Sequence, residues 1–248
     1  YYLANDITLG DFEPIGWSDM DEDGADDPFY GEFDGNGHTV SGMTMNLGDA
    51  NYVGLFAKNF GTISNLKIDG ATINAKDGVG VVAGVNQGKI ENVVVSNCSV
   101  SAKVYSTNYD YTRAGLITGQ NSTKGIIDNC TVENSYIGGN IMVGGIAGSN
   151  LGLISNSTVD SIMINTKSKN NTNQINAIYQ LGAKCYIKYN KYRYYCIGGL
   201  VGNNQGTVSK CQVINDIAVY GFQSVGGLVG SNNGTVDGAW FGVPNDVK

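Results

Sequence analysis

The stretch that decides the fold is residues 225–236, which read VGGLVGSNNGTV. Residues 197–208 repeat it as IGGLVGNNQGTV. Four related versions lie upstream, at residues 52–63, 79–90, 114–127 and 143–154. Self-similarity of this kind indicates an architecture built from one repeated unit.

The central asparagine of each copy sets the phase of the repeat. Consecutive copies lie 27, 35, 29, 54 and 28 residues apart. Because 54 is twice 27, the longest interval predicts one further coil that has lost the motif, between Asn150 and Asn204. The six asparagines are Asn59, Asn86, Asn121, Asn150, Asn204 and Asn232.

Short runs of alternating apolar and polar residues follow each copy, as in residues 207–213, TVSKCQV. Alternation with a period of two is typical of strands with one buried face. Each repeat therefore holds about three short strands, and their rise of about 3.3 Å per residue returns the chain to its start one strand spacing higher. The prediction is an all-β fold, a parallel β-helix (β-solenoid) with about 28 residues per coil.

Residues of equal phase should stack into ladders along such a solenoid. Two ladders are predicted to face the interior: Leu66, Val93, Cys130, Ser157, Cys211 and Ala239, and Leu55, Val82, Ile117, Ile146, Leu200 and Leu228. The asparagine column is predicted to form a side-chain amide ladder at a corner, because asparagine tolerates the left-handed backbone conformation.

The runs GGLVGSNNGTV and GGLVGNNQGTVSKC resemble the GLUG repeat of large bacterial surface and secreted proteins, including accessory regions of IgA-specific metalloendopeptidases. The opening, YYLANDITL…FYGEFDGNGHTVSGM, is similar to the first coils of right-handed β-helix proteins of that group. The resemblance covers nearly the whole chain except residues 166–196. It implies a right-handed β-helix of about eight or nine coils in an extracellular setting. The zinc-protease motif HExxH does not occur in the chain, so protease activity is not implied.

Charge is distributed unevenly along the chain. Residues 1–57 contain 12 acidic and no basic residues, whereas the rest of the chain has an excess of five basic groups. The densest acidic stretch, within a loop predicted over residues 13–34, matches DxDxDG, the first half of a calcium-binding loop. The expected calcium ligands are Asp19, Asp21, Asp23, Asp26 and Asp27, although the usual glutamate at the twelfth position is replaced by Tyr30. The alternative is a solvated acidic loop.

Residues 166–196 interrupt the repeat with a segment rich in tyrosine and lysine. Folding it about residues 190–191 pairs like residues across a β-hairpin and places Cys185 opposite Cys196, which predicts a disulfide in an oxidising compartment. Tyrosine faces can stack on sugar rings and the segment is rich in basic residues, so the hairpin is a candidate contact for a glycan or an acidic polymer. Its predicted ligand-binding residues are Tyr186, Lys188, Tyr189, Tyr192, Arg193 and Tyr195. The alternative is a hairpin that simply covers apolar surface.

No complete catalytic constellation is present in the sequence. The single histidine, His38, follows a predicted tight corner at residues 34–37 and cannot supply a triad or a multi-histidine metal site. Glu91 and Asp128 form the one pair of acids expected on neighbouring coils in the same phase. The glycine-rich motif recurs before strands rather than preceding one helix, which excludes a phosphate-binding loop. We therefore predict no catalytic residues.

The sequence predicts one domain, residues 1–248, secreted or at the cell surface and without a transmembrane segment. The expected function is a non-enzymatic scaffold or adhesin-like module that displays binding loops to a glycan or a cell-surface protein. Nucleic acid is not expected as a partner. The alternatives are a structural subunit that stacks end to end into an extracellular filament, and a calcium-dependent polysaccharide lyase or hydrolase.

Overall fold

The structure is a computed structural model that describes residues 1–17, 27–102, 112–139, 141–166, 184–187, 196–221 and 224–242. Every regular element in these residues is a short strand. The strands are β1 (Ile7–Thr8), β2 (Glu32–Asp34), β3 (Thr39–Ser41), β4 (Thr44–Asn46), β5 (Asn51–Val53), β6 (Phe56–Asn59), β7 (Thr62–Ser64), β8 (Lys67–Asp69), β9 (Thr72–Ala75), β10 (Asp77–Val79), β11 (Ala83–Asn86), β12 (Lys89–Glu91), β13 (Val94–Ser96), β14 (Ser99–Ala102), β15 (Arg113–Gly115), β16 (Thr118–Asn121), β17 (Ile126–Asp128), β18 (Thr131–Glu133), β19 (Tyr136–Gly139), β20 (Met142–Gly144), β21 (Ala147–Asn150), β22 (Leu153–Ser155), β23 (Thr158–Asp160), β24 (Met163–Thr166), β25 (Lys184–Ile187), β26 (Cys196–Gly198), β27 (Val201–Asn204), β28 (Thr207–Ser209), β29 (Gln212–Ile214), β30 (Ala218–Gly221), β31 (Val225–Gly226), β32 (Val229–Asn232), β33 (Thr235–Asp237) and β34 (Trp240–Phe241).

The strands stack into five parallel sheets, here named A to E. Sheet A is β2-β7-β12-β17-β22-β28-β33, and sheet B is β1-β3-β8-β13-β18-β23-β29-β34. Sheet C is β25-β30-β24-β19-β14-β9-β4. Sheet D is β32-β27-β21-β16-β11-β6, and sheet E is β31-β26-β20-β15-β10-β5. Apart from β25, each strand pairs with the equivalent strand of a neighbouring coil, which confirms the predicted parallel β-solenoid. The eight strands of sheet B agree with the expected number of coils.

Each coil contains five short strands rather than the three predicted. The coil from β5 to β9, for example, turns four times within residues 51–75. The corners of this coil are only two residues long, so runs that look like one strand in the sequence are divided between two sheets. Asparagine occupies many of these corners: Asn65, Asn92, Asn129 and Asn156 lie between sheets A and B with φ of 50–54°. The predicted corner before His38 also has left-handed residues, Asn36 and Gly37.

Both predicted interior ladders are confirmed. From Leu66 to Cys211 the first ladder is fully buried, and from Leu55 to Leu200 every residue of the second has at most 3% of its surface exposed. Ala239 and Leu228, in the last described coil, are half-buried. The one polar member, Ser157, accepts a hydrogen bond from the Cys130 amide at 3.1 Å and donates to the Ser155 carbonyl at 2.7 Å. Its hydroxyl is therefore satisfied inside an apolar core.

The asparagine column forms the predicted amide ladder. Each Nδ2 donates to the Oδ1 of the next coil, from Asn59 through Asn232, at 2.7–2.9 Å. The first five asparagines are completely buried, so the ladder satisfies amides that have no access to water. The predicted reason was wrong: these asparagines lie within strands of sheet D, and the left-handed backbone belongs to the asparagines at the other corners.

The predicted coil between Asn150 and Asn204 does not exist. Strand β21 pairs directly with β27, and Asn150 lies in register with Asn204. The extra length is an insertion between β24 and β26 within one coil. The only described part of its interior is the backbone of β25, which pairs in parallel with β30 at the end of sheet C. The 54-residue interval between Asn150 and Asn204 therefore consists of one coil and this insertion.

Glycine in the repeat motif permits the sharp bend between sheets E and D. A Cβ atom added at Gly115 would overlap the carbonyl oxygen of Thr118, three residues ahead in the same coil. Only glycine allows so close a backbone approach. No helix of sufficient length and apolarity to span a bilayer occurs in the part of the chain that the structure describes.

Candidate functional site

The predicted calcium ligands lie almost entirely outside the described residues. Asp27 alone is described, and Asp19, Asp21, Asp23 and Asp26 are not. Among the described residues, the structure brings together no group of three or more histidine, cysteine, aspartate or glutamate side chains that could hold a metal ion. Calcium binding by the acidic loop stays a prediction.

The tyrosine-rich hairpin is described only at β25, where the backbone of Tyr186 lies beside Tyr220. Lys188, Tyr189, Tyr192, Arg193 and Tyr195 lie outside the described residues, so the hairpin and its glycan contact stay predictions. Cys196 carries a free thiol and lies in sheet E, whereas Cys185 belongs to sheet C. The disulfide between these two cysteines stays a prediction.

Glu91 and Asp128 are neighbours, as predicted. They lie in register on β12 and β17 of sheet A. Both carboxylates have cationic or hydrogen-bonding partners: Glu91 Oε2 is 2.6 Å from Lys89 Nζ, and Asp128 Oδ1 accepts hydrogen bonds from Ser155 Oγ at 2.7 Å and Asn156 Nδ2 at 2.8 Å. The hydrogen bond from Ser155, with that from Asn156, lowers the pKa of Asp128. A general acid requires the opposite shift.

A second aspartate accepts the same pair of hydrogen bonds, from a serine and an asparagine of the next coil, and this arrangement is structural. Asp69 Oδ1 accepts from Asn97 Nδ2 and Ser96 Oγ of the next coil, both at 2.7 Å. The hydrogen bonds from Asn97 and Ser96 lower the pKa of Asp69. An aspartate on one coil thus holds a Ser-Asn pair on the next, so these acids fasten coils together.

A shallow groove runs along the junction of sheets E and D. Its floor is the column of residues that immediately precede the ladder asparagines, in register from coil to coil: Lys58, Val85, Gln120, Ser149 and Asn203. Two hollows of about 400 and 310 Å³ adjoin at Gln120. The first is lined by Pro28, Tyr52, Lys58, Phe60, Val85, Gln87, Gln120 and Ser122, and the second by Arg113, Gln120, Met142, Ser149, Leu151, Asn203 and Gln205.

Arg113 organises the middle of this groove. Its guanidinium contacts the Asp77 carboxylate and the Gln120 side-chain carbonyl, and the Arg113 amide donates to Asp77 Oδ1 at 2.7 Å. Arg113 and Lys58 also lie near the ring of Tyr52, with Cζ at 5.9 Å and Nζ at 5.3 Å from its centroid. Burial by itself lowers the pKa of Arg113, but the hydrogen bond and charge of Asp77 outweigh this effect. The net pKa is therefore raised, and the guanidinium stays charged.

Neither Arg113 nor Asp77 was singled out from the sequence. The signal that points to the groove is the position before each ladder asparagine. In an otherwise apolar and glycine-rich motif, this position holds lysine, glutamine, serine or asparagine in every copy except the one with Val85. Such variable polar residues in an otherwise regular repeat indicate an outward-facing column.

The repeat that builds this groove also matches a known motif. Residues 193–218 match the GLUG motif. They span strands β26 to β29 and reach β30, so the GLUG motif here corresponds to the sheet E to sheet B part of one coil. The search of solved structures found no match.

Two curated proteins are similar to this GLUG-containing chain. Halomucin of Haloquadratum walsbyi is 43% identical over 70 residues, which are 27% of this chain and 1% of halomucin. A putative Gly-rich membrane protein of Evansella cellulosilytica is 33% identical over 103 residues, which are 38% of this chain and 12% of that protein. The chain thus spans a small part of the length of these relatives. It is a β-solenoid that carries a GLUG motif and is distantly similar to halomucin and to a putative Gly-rich membrane protein.

Proposed function

We propose that this chain is a non-enzymatic scaffold module that works outside the cell, in an adhesin-like role. The observation that carries the proposal is the unbroken amide ladder from Asn59 to Asn232, which ties six successive coils together through the core. A solenoid with such a ladder presents broad lateral faces on a rigid support, which suits the display of binding surfaces. The names of the two relatives, a halomucin and a membrane protein, support a location at the cell surface.

The partners of the described acids support a structural rather than a catalytic role for them. Asp69 and Asp128 use the same carboxylate oxygen to hold serine and asparagine of the next coil. Their pKa values are lowered, so they remain ionised and are not proton donors at neutral pH.

Labelling of intact cells tests the location. An antibody raised against residues 1–248 should bind cells that produce the full-length protein without permeabilisation, and brief protease treatment of intact cells should remove the signal. A signal that appears only after permeabilisation contradicts the proposal.

A polysaccharide panel tests the absence of catalysis. The purified chain should produce no new reducing ends or unsaturated chain ends from neutral or acidic polysaccharides, with or without calcium. If new ends appear, and Glu91→Gln or Asp128→Asn abolishes them, the lyase or hydrolase alternative replaces the scaffold.

A further inference from the structure

Two side chains on the floor of the groove are buried and have no hydrogen-bond partner within the part of the chain that the structure describes. Ser149 is 6% exposed and Asn203 is 8% exposed, and both line the hollow of about 310 Å³. Among the residues that the structure describes, neither the Ser149 hydroxyl nor the Asn203 carboxamide is hydrogen-bonded. Buried polar groups are nearly always satisfied, so an orphan pair at the bottom of a groove points to a bound molecule or ordered water.

We propose that this groove binds an extended neutral polysaccharide, with one sugar ring seated over Ser149 and Asn203. A carboxamide offers two donors and an acceptor, and a hydroxyl offers both roles. Sugar hydroxyls have the same dual character, so they match this pair directly. The walls beside the pair are Met142 and Leu151, which provide apolar contacts for the C–H faces of a ring.

The charge of the groove favours a neutral ligand. The charged side chains that line the two hollows are Lys58 and Arg113. The Arg113 guanidinium is paired with the Asp77 carboxylate, which offsets its charge. The remaining polar lining consists of amides and hydroxyls, including Gln87, Gln120 and Gln205.

The repeat distance of the groove favours a sugar chain over a peptide. The groove runs across the strands, so its floor residues recur once per coil, at the strand spacing of about 4.8 Å. An extended peptide advances about 3.3 Å per residue and loses register with such a column. The groove also offers side chains rather than a free strand edge, so a peptide could not bind by strand addition. The length of one pyranose ring in an extended chain is close to this spacing between neighbouring coils.

The test uses the purified chain and a panel of cellohexaose, mannohexaose, xylohexaose and maltohexaose, with hexagalacturonate and a Ser/Thr-rich peptide as other ligand classes. Binding is measured by calorimetry for the unmodified chain and for Asn203→Leu, Ser149→Ala and Thr207→Val. Thr207 faces outward on sheet A of the same coil as Asn203, so Thr207→Val is the matched control.

We expect at least one neutral oligosaccharide to bind, with affinity reduced at least tenfold by Asn203→Leu, reduced several-fold by Ser149→Ala and unchanged by Thr207→Val. Because Asn203→Leu removes an unsatisfied buried amide, it should also raise the melting temperature by about 2–4 °C. A lower melting temperature for both groove variants would instead assign the pair a structural role. The proposal is overturned if Asn203→Leu binds as tightly as the unmodified chain, or if no neutral oligosaccharide binds. It is also overturned if only the peptide or only hexagalacturonate binds. The inference does not rest on the proposed location, which cell labelling tests separately.

Discussion

Asn150 and Asn204 are 54 residues apart in the chain and one coil apart in space, joined by a 2.8 Å hydrogen bond from Asn150 Nδ2 to Asn204 Oδ1. The amide ladder therefore runs past the insertion without a break. Elsewhere the same connection needs very few residues: Lys76 alone lies between β9 and β10. The coil itself does not require the inserted segment.

Replacing residues 167–194 by a single lysine should leave a cooperatively folded β-helix. The far-ultraviolet circular dichroism spectrum should remain that of a β-protein, and the melting temperature should fall modestly because β25 no longer pairs with β30. Asn204→Ala should lower the melting temperature of the full chain and of the shortened chain by the same amount. Loss of the β-sheet spectrum in the shortened chain contradicts the continuous ladder.

Asn121→Ala should be strongly destabilising. Asn121 Nδ2 donates to Asn150 Oδ1 at 2.8 Å and its Oδ1 accepts from Asn86 at 2.9 Å. The substitution removes one hydrogen bond from each of the two neighbouring asparagines and takes a donor from the Leu153 carbonyl, at a cost of about 2–4 kcal/mol in the free energy of unfolding. Urea denaturation measures this. Asn46→Ala, at an exposed position of β4, is the control and should change the free energy by less than about 0.5 kcal/mol.

Asp128→Asn should weaken the protein at neutral pH but not in acid. The folded pKa of Asp128 lies below its ordinary value of 3.8, so its contribution is present above that pH and is lost as the pH falls through the folded pKa. At pH 7 the variant should lose about 1 kcal/mol, after allowance for solvent screening of a partly exposed group. The melting temperatures of the two proteins should converge as the pH falls from 3.8 through the lower folded pKa. A difference that stays constant with pH would show that the charge of Asp128 is not responsible.

The buried cysteines should resist thiol reagents in the native state. Burial raises the pKa of Cys98 to about 11 and that of Cys130 to about 12, and it also raises the pKa of Cys211. At pH 7 these thiols should react only after unfolding. Mass spectrometry after denaturation without reductant should then show five alkylated cysteines when Cys185 and Cys196 are both free, and three when they form the predicted disulfide.

If the acidic loop binds calcium, a chelator should lower the melting temperature, and added calcium should restore it. The double substitution of Asp21→Asn and Asp23→Asn should remove this response while leaving the melting temperature in chelator unchanged. The loop is instead a solvated acidic segment if calcium has no effect on either protein.

The sequence predicts the stacking direction of this fold well and its path within a coil poorly. The columns that contain Leu66 and Leu55 follow from repeat phase alone, because each coil must present the same face to one core. The number of strands could not be predicted in this way. At corners such as the one at Asn65, a left-handed residue places two outward-facing positions between the buried residues Ile63 and Leu66, so a run that looks like one alternating strand is divided between two sheets.

The candidate site was predictable only in part. Glu91 and Asp128 were correctly placed on neighbouring coils, since their phase is the same. Contacts within the groove, such as Arg113 with Asp77, join residues of different phase across a bend. Repeat spacing carries no information about such contacts, so neither residue of this ion pair stands out in the sequence.

The two asparagine columns also differ in their sense along the solenoid. In the inner column every Nδ2 points toward the later coil, whereas in the outer column Asn129 donates back to Asn92 and Asn92 back to Asn65. The direction of donation in the outer column is set by the Asp34 carboxylate, which can only accept. Asn65 Nδ2 donates to Asp34 Oδ1 at 3.0 Å. The direction of donation in the inner column is set by backbone carbonyls such as that of Leu153, which accept a second hydrogen bond from the side-chain amide. The molecule therefore carries two parallel lines of aligned amide dipoles with opposite polarity, and their fields oppose one another along the long axis.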